Sequence, residues 1–171
     1  MKLRRDRFQS LVRAIISQQI STAAARGVLR RLQELVAEEG LTPEVLCRLD
    51  TESLRGAGLS RQKASYLRDL AEKTQDGRIR LNRLGRLTDE QAIEELTRVK
   101  GVGRWTAQML LMFSLGRIDV FPHDDFGIRS AIRNLYDLAE FPDASTSHAI
   151  AEPWRPYASV ACWYLWRSHE L

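Results

Sequence analysis

The feature that most constrains the fold of this chain is a pair of glycines between two apolar helical patterns. Gly101 and Gly103 lie in the segment Lys100-Gly101-Val102-Gly103. Glycine adopts positive φ at no steric cost and lets the backbone approach a partner closely, so a tight turn that opens a helix is expected here. Free amide N–H groups at the start of such a helix can hold an anion. The pattern predicts a helix-hairpin-helix unit over about residues 89–115.

The helix after this turn begins with a tryptophan and carries apolar residues at 3.6-residue spacing. These residues are Trp105, Met109, Leu110, Met112 and Phe113. The turn is not a nucleotide-binding loop, because Gly-Val-Gly-Arg lacks the Gly-Lys-Ser/Thr ending of that motif. Taken alone, a Gly-x-Gly turn is typical of an ordinary connection between helices, so other residues must decide its role.

An acidic pair follows the hairpin, and its second member, Asp125, lies 22 residues after Gly103. Apolar residues at positions 126, 128, 132 and 135 predict another helix. We expect Asp124 to be its N-cap. On these residues alone, Asp125 is an acid of a first helical turn, where a negative side chain is favourable.

Together, LTRVKGVGRWTAQMLL (residues 96–111) and VFPHDDFGIR (residues 120–129) resemble the signature of the helix-hairpin-helix, Gly/Pro-Asp (HhH-GPD) family of DNA glycosylases. The likeness runs from about Phe8 to Trp166 and is closest to the alkylpurine branch, typified by 3-methyladenine DNA glycosylase II. It implies that the hairpin holds a DNA phosphate and that Asp125 drives base excision. Asp124 is the alternative if the register differs by one residue.

The resemblance also implies a set of DNA-phosphate contacts. The residues concerned are Lys100, Gly101, Val102, Gly103 and Arg104 in the hairpin, with Ser60 and Lys63 in the similar segment GLSRQKASYL. Without the resemblance, Ser60 and Lys63 are equally well explained as a helix cap and a solvated charge.

The same resemblance implies which ions and cofactors are bound. The carbonyl oxygens of Thr97, Val99 and Val102 are expected to hold a structural Na⁺ or K⁺. No other cofactor is expected. Related glycosylases with an iron-sulfur cluster need four cysteines, and this chain has only two.

Gln19, in the segment AIISQQIS, matches the residue that related enzymes insert into the duplex to fill the gap left by an extruded nucleotide. The residues by themselves allow a simpler interpretation. Gln18 and Gln19 can be polar residues that end one helix, with Ser21 capping the next.

The base pocket is expected to be aromatic, because alkylated purines such as 3-methyladenine and 7-methylguanine are cationic and a cation is attracted to an indole face. The candidates are Trp105, Tyr157, Trp154 and Met109. Core packing is the alternative for the C-terminal aromatic residues. Family members often have an arginine where this chain has Ala158, which removes a charge contact from this region.

Trp105 also bears on the reaction type. Lyase-competent relatives have a lysine directly after Gly-x-Gly-Arg, and this lysine attacks the sugar to form a Schiff base. Because Trp105 occupies that position, a monofunctional hydrolase without AP lyase activity is expected. Lys100 is not at the nucleophile position.

Apolar spacing and capping residues predict helices throughout the chain, and no stretch alternates as a strand would. The first helix ends near Ser17, and the second continues to Gly40. Further helix starts are expected after these capping residues: Ser21, Thr42, Ser60 and Thr88. Thr88 and Gln91 form a capping box, whereas residues 78–87 are expected to be a loop. The class is therefore all-α, with two helical lobes and the active-site cleft between them.

Composition is consistent with a single globular domain over residues 1–171, with 44% apolar and 28% charged residues. A net charge of +4, with 22 arginines and 4 lysines, gives weak support for a nucleic-acid partner. Cys47 and Cys162 are expected to be small buried side chains rather than a disulfide. No membrane segment or signal peptide is found in the sequence. We expect a monomer that acts on DNA in the bacterial cytoplasm.

The expected function is therefore base excision repair, in which an alkylated purine is flipped out of duplex DNA and its N-glycosidic bond is hydrolysed. Departure of the base leaves an oxocarbenium-like sugar, which a carboxylate can stabilise. A non-catalytic helix-hairpin-helix module that binds DNA would explain the glycines and arginines, but would leave Asp125, Gln19 and Trp105 unused. A glycosylase for deaminated purines such as hypoxanthine is the other alternative.

Overall fold

The computed structural model of the protein describes residues 6–170, which contain helices and connecting turns and no strand. The ten α-helices are α1 (Arg7–Ser17), α2 (Thr22–Leu35), α3 (Pro43–Arg48), α4 (Thr51–Gly56), α5 (Arg61–Gln75), α6 (Asp89–Thr97), α7 (Arg104–Phe113), α8 (Phe126–Leu135), α9 (Ala144–Ala151) and α10 (Ala158–Arg167). Short 3₁₀ helices lie at Leu81–Arg86, Glu152–Trp154 and Ser168–Glu170. The all-α prediction is confirmed.

Most of these helices begin at a side chain that accepts a hydrogen bond from the first turn. In the described chain the caps are Asp6, Ser21, Thr42, Asp50, Ser60, Thr88, Asp125 and Asp143. The Thr88–Gln91 capping box is confirmed, with both reciprocal bonds present. The expected cap of α8 was wrong by one residue, since Asp125 rather than Asp124 accepts from the Ile128 amide.

The helices form two groups that meet on α1. α5 packs against α3 and α4 in the first group, whereas α6 packs on α7 and α8 on α10 in the second. α1 contacts α2, α5 and α7, and its Leu11, Val12 and Ile15 are fully buried. A continuous apolar core therefore joins the two groups, and the cleft described below opens between them.

Two segments differ from the sequence-based expectation. The segment 78–87, expected to be a loop, contains the 3₁₀ helix, because Leu81 and Leu84 turn inward to the core. α2 ends at Leu35 rather than at Gly40, and the chain between them forms a turn that Gly40 closes with φ 80°. Between residues 6 and 170, no helix combines the length and the apolar character needed to cross a membrane.

Candidate active site

The carboxylate of Asp125 lies at the start of α8 and is almost completely shielded, at 9% exposure. Its Oδ1 accepts hydrogen bonds from the Ile128 amide at 2.8 Å and from the Trp166 indole Nε1 at 2.9 Å. Its Oδ2 accepts from the Trp105 indole Nε1 at 2.6 Å. Among residues 6–170, no cationic side chain forms an ion pair with it. Three N–H donors therefore fix the carboxylate, and its charge has no protein counter-ion.

The neighbouring acid is placed differently. Asp124 has a side chain that is 76% exposed, and its Oδ1 lies 3.3 Å from Nε2 of His123. It does not share the indole donors of Asp125. Asp125 therefore remains the catalytic candidate of the pair.

Trp166 is also a member of this site, although nothing in the sequence distinguishes it. Its indole reaches Asp125 across α8 because Gly127 has no side chain. A Cβ at Gly127 would lie 3.0 Å from Cδ1 of Trp166 and 3.2 Å from Oδ1 of Asp125. Trp166 looks like its aromatic neighbours in sequence, and only the packing of α10 on α8 distinguishes it.

The hairpin turn is held against α5. Gly101 has φ 78°, and a Cβ there would lie only 2.1 Å from the Tyr66 ring, so only glycine fits. The Lys100 amide donates to Oδ2 of Asp69 at 2.8 Å, and the same oxygen accepts from the Lys73 ammonium at 2.8 Å. The turn is therefore fixed in place before any ligand binds.

The N-terminus of α7, by contrast, has no side-chain cap, because its N-cap residue is Gly103. The first amides of a helix have no partner within the helix, so this end presents N–H groups to solvent. The exposed side chain of Arg104, which follows, pairs with Glu90. Hydrogen bonding to Arg104 holds the pKa of Glu90 below its usual value. In the predicted phosphate-binding turn, the amides of Lys100 and Val102 donate to Asp69 and to the Val99 carbonyl oxygen, so the open donors are those at the start of α7.

A cleft of about 550 Å³ lies between the hairpin, α7, α5 and the end of α1. Trp105 and Met109 line it, as the sequence predicts for a base pocket, and Tyr66 lies opposite at α5. Trp105 is 48% exposed, so it lines the cleft while the edge of its indole binds Asp125. Asp125 is not itself a lining residue, and Trp105 connects it to the cleft.

Gln19 lies at the rim of the same cleft, in the loop between α1 and α2. It is exposed and has φ 55°, a left-handed conformation that is uncommon for a residue other than glycine. Such conformations concentrate at functional sites, where the surrounding structure holds them. The geometry is consistent with the expected role of Gln19 as a wedge.

The structure gives Ser60 and Lys63 local partners. The Ser60 hydroxyl accepts from the Lys63 amide at 3.2 Å and caps α5. The Lys63 ammonium donates to the carbonyl oxygens of Ile16 and Gln18, at 2.6 Å each, and burial lowers its pKa. These bonds engage two of the three donors of the ammonium that was expected to contact phosphate.

Trp154 and Tyr157 do not line the cleft with Trp105. The Trp154 ring packs edge-on against Phe121, with ring centroids 5.7 Å apart. Tyr157 precedes α10, whereas Trp166 is near its other end, about 13 Å away at the helical rise of about 1.5 Å per residue. Trp154 and Tyr157 thus lie before α10, and only the far end of this helix, with Trp166, reaches Asp125.

Ala158, in place of the family's frequent arginine, is buried at the start of α10. Its amide donates to Oδ1 of Asp119 at 3.3 Å, and Arg155 donates to Oδ2 of the same carboxylate at 3.1 Å. Arg155 therefore supplies a guanidinium beside the position that Ala158 occupies.

Cys162 lies under the site in α10 and is fully buried. Burial, together with the charge of Asp125, raises the pKa of its thiol to about 12. Cys47 is a free thiol as well, partly buried in α3.

Comparisons with known proteins identify relatives of this chain. A family model described as "HhH-GPD superfamily base excision DNA repair protein" matches residues 12–156. The chain is 37% identical to DNA-3-methyladenine glycosylase 1 of Schizosaccharomyces pombe, covering 98% of this chain and 75% of that protein. It is 33% identical to the putative DNA-3-methyladenine glycosylase YfjP of Bacillus subtilis, covering 95% of this chain but only 59% of that protein.

A solved structure of the Schizosaccharomyces pombe 3-methyladenine DNA glycosylase Mag1, in complex with abasic DNA, has the same fold. It superposes with a TM-score of 0.86 at 37% sequence identity, over 99% of this chain and 84% of that one.

Proposed function

The chain belongs to the HhH-GPD superfamily of base excision DNA repair proteins, and from this we propose that it is a monofunctional DNA glycosylase for alkylated purines. Its substrates are bases such as 3-methyladenine and 7-methylguanine in duplex DNA. The relatives at 33% and 37% identity carry the name DNA-3-methyladenine glycosylase, which supports this substrate class. We further propose that the protein acts as a monomer on DNA in the cytoplasm.

The observation that carries the proposal is the Asp125 carboxylate, buried and fixed by three N–H donors without a counter-ion. If an arginine were paired with this carboxylate, the positive charge would cancel the negative charge that could stabilise a cation. Here the negative charge stays available to a cation that develops beside it. Preorganised charge of this kind does not have to reorient during the reaction.

The reaction follows from this charge. The base leaves with the electrons of the C1′–N bond, and its own positive charge is neutralised as it departs. The sugar becomes oxocarbenium-like, and Asp125 stabilises it. Asp125 orients a water molecule, which adds its oxygen to C1′ and gives up a proton to the solvent. A cationic base is a good leaving group, so no strong general acid is needed.

Trp105 links the pocket to the carboxylate. A cationic base against the indole face gains about 0.5 to 2 kcal/mol. The edge of the same indole holds Asp125, so a base in the cleft brings its sugar toward the carboxylate. Trp105 also occupies the position of the lyase lysine, which supports hydrolysis by water rather than Schiff-base chemistry.

The hairpin would hold the DNA strand. The uncapped N-terminus of α7 and the turn amides of Gly101 and Gly103 offer N–H groups to a phosphate, whereas the Val102 amide donates to the Val99 carbonyl oxygen. Lys100, Arg104 and the Ser60 hydroxyl add polar groups on the exposed side. Gln19 would fill the space in the duplex that the extruded nucleotide leaves.

A monovalent cation at the carbonyl oxygens of Thr97, Val99 and Val102 is also part of the proposal. Carbonyl oxygens suit Na⁺ or K⁺. The Val99 oxygen accepts one hydrogen bond, from the Val102 amide at 3.1 Å, which leaves it a second lone pair. When bound, the ion would stiffen the turn. No further cofactor is needed for the hydrolysis.

The decisive experiment measures release of 3-methyladenine and 7-methylguanine from methylated duplex DNA. Asp125→Asn protein, prepared identically, corrects for spontaneous base loss. Release by the wild type alone is expected, and borohydride should trap no covalent DNA adduct. DNA binding without release by the wild type would instead identify a non-catalytic module. Faster release of hypoxanthine than of alkylated purines would move the substrate class to deaminated bases.

A further inference from the structure

The loop between α1 and α2 is tied to both sides of the cleft by two side chains. Lys63, on α5, donates from its ammonium to the carbonyl oxygens of Ile16 and Gln18, at 2.6 Å each. Gln18 donates from Nε2 to the Gly101 carbonyl oxygen at 2.7 Å. The loop is therefore joined to α5 and to the hairpin turn at once.

The hydrogen bond from Lys63 to the Gln18 carbonyl oxygen also constrains the backbone of Gln19. A peptide unit is planar, so a bond that holds the Gln18 carbonyl also orients the amide of Gln19. Gln19 is held at φ 55°, a conformation that is unfavourable for a side chain with a Cβ. The bond therefore stabilises a backbone state that the loop would not keep by itself.

The Lys63 ammonium is well suited to this task. Two of its three donors are engaged with carbonyl groups at the end of α1, where the helix dipole favours a positive charge. The side chain is partly buried beside the loop, and the same burial lowers its pKa. The ammonium thus points toward the protein backbone.

We propose that Lys63 and Gln18 are positioning residues that hold Gln19 in the conformation in which it enters the duplex. This inference rests on the proposed function, because Gln19 has a gap to fill only when a nucleotide is extruded. The Gln18 bond to Gly101 adds a consequence. It connects the inserted residue to the turn that holds the phosphate, so the two DNA contacts keep a fixed spacing.

Insertion can be measured without base excision, on a duplex that carries a tetrahydrofuran abasic analogue opposite 2-aminopurine. The fluorescence of 2-aminopurine changes when a side chain enters the gap, and Gln19→Ala gives the signal without insertion. We expect Lys63→Met and Gln18→Leu to lose most of the fluorescence change at saturating protein and to insert about tenfold more slowly. Lys63→Arg should keep most of the signal, since a guanidinium can donate to both carbonyls.

The control for lost charge is Arg48→Met. Arg48 lies on α3, and its exposed side chain pairs with Glu39. This variant should give the full fluorescence change. If Lys63→Met does not fold, Gln18→Leu carries the test, because it removes only one side-chain hydrogen bond.

Salt dependence separates positioning from direct phosphate contact. Positioning leaves the slope of log affinity against log salt unchanged in Lys63→Met, whereas loss of a phosphate contact lowers it by about one. A full fluorescence change with a lower slope, or with only a lower melting temperature, would overturn the proposal. A wild type that inserts Gln19 but releases no base would refute the proposed function and leave this inference standing.

Discussion

Two helices begin at the candidate site, and their N-terminal turns are built in opposite ways. α8 begins at Asp125, whose own carboxylate accepts an amide of the first turn. α7 begins at Gly103, which has no side chain to offer, and its amides stay open. Both ends have the same unsatisfied N–H groups. The Asp125 side chain satisfies one of these groups at α8, whereas no side chain caps α7.

The difference shows how one structural element can serve two chemical tasks. At α8 the negative charge belongs to the protein and is held still, as stabilisation of a sugar cation requires. At α7 the negative charge would come from DNA, so the helix supplies only donors. Changes at the start of α8 should therefore impair base release, whereas changes at the start of α7 should impair DNA binding.

The largest effect is expected when the charge is removed from α8 while the cap is retained. Asp125→Asn keeps an oxygen for the Ile128 amide, and asparagine is a good N-cap. Base release should fall about 10²- to 10³-fold, the range seen when a preorganised electrostatic group is lost. The measurement is single-turnover release of 7-methylguanine, with DNA affinity measured in parallel.

Asp124→Asn is the matched control for this change. Its side chain is exposed and lies outside the indole contacts, so near-normal turnover is expected. Normal turnover by Asp125→Asn, or a loss in Asp124→Asn instead, would transfer the catalytic role to another residue.

The second effect concerns the turn before α7. Gly101→Ala places a Cβ within the Tyr66 ring and imposes positive φ on alanine. The two costs together are roughly 2 to 5 kcal/mol of folding stability. DNA binding should be lost even where the protein still folds, because the turn must move. Thermal melting and fluorescence anisotropy with duplex DNA measure the two consequences.

Gly56→Ala serves as the control glycine. Gly56 ends α4, and a Cβ there would meet nothing within 4 Å. It should be neutral or slightly stabilising. A mild effect of Gly101→Ala comparable to that of Gly56→Ala would mean that the turn tolerates a Cβ.

The third effect tests the open end of α7 by giving it the kind of cap that α8 has. Gly103 has room for a side chain, since a Cβ there would also meet nothing within 4 Å. Gly103→Asp should raise stability by a few tenths of a kcal/mol. It should weaken DNA binding about tenfold, because a carboxylate replaces and repels the phosphate.

Gly103→Ser separates the effect of capping the helix from the effect of the added negative charge. Serine can cap α7 without a charge, so its DNA affinity should lie between those of the wild type and Gly103→Asp. Unchanged DNA affinity in the aspartate variant would place the phosphate away from this helix end.

The smallest effect is expected when Trp166, the second indole that donates to Asp125, is replaced. Trp166→Phe removes one donor to Asp125 but leaves Trp105 and Ile128 in place. Base release should fall about five- to tenfold, the equivalent of one modest hydrogen bond. Trp154→Phe should cost less, since Trp154 packs on Phe121 outside the cleft. A larger loss from Trp154→Phe would locate the base pocket on that side.

Local rules of helix capping and turn formation predict much of this fold from the sequence. The capping residues Ser21, Thr42, Ser60 and Thr88 all begin helices, because each satisfies a nearby amide. The turn at Gly101 and Gly103 is likewise predicted by residues that are neighbours in the sequence. The cap of α8 was misplaced because Asp124 and Asp125 are both competent caps. Only the packing of α8 decides between them.

The supporting contacts could not be predicted in the same way. The bonds from Lys63 to the loop after α1 and from Trp166 to Asp125 join residues far apart in sequence. Periodicity reports which face of a helix is apolar, but not which distant side chain meets it. Trp154 and Tyr157 were expected to close the other side of the pocket, but both lie before α10, at its end away from Asp125.

The Cys162 thiol beneath the site has a consequence for the proposed repair of alkylation damage. Electrophiles that methylate DNA also attack sulfur, and they react with the thiolate rather than the thiol. Because burial and the neighbouring carboxylate raise the pKa of Cys162 to about 12, almost none of it is ionised at neutral pH. The protein is therefore intrinsically resistant, at this position, to the reagents that produce the lesions of the proposed substrate class.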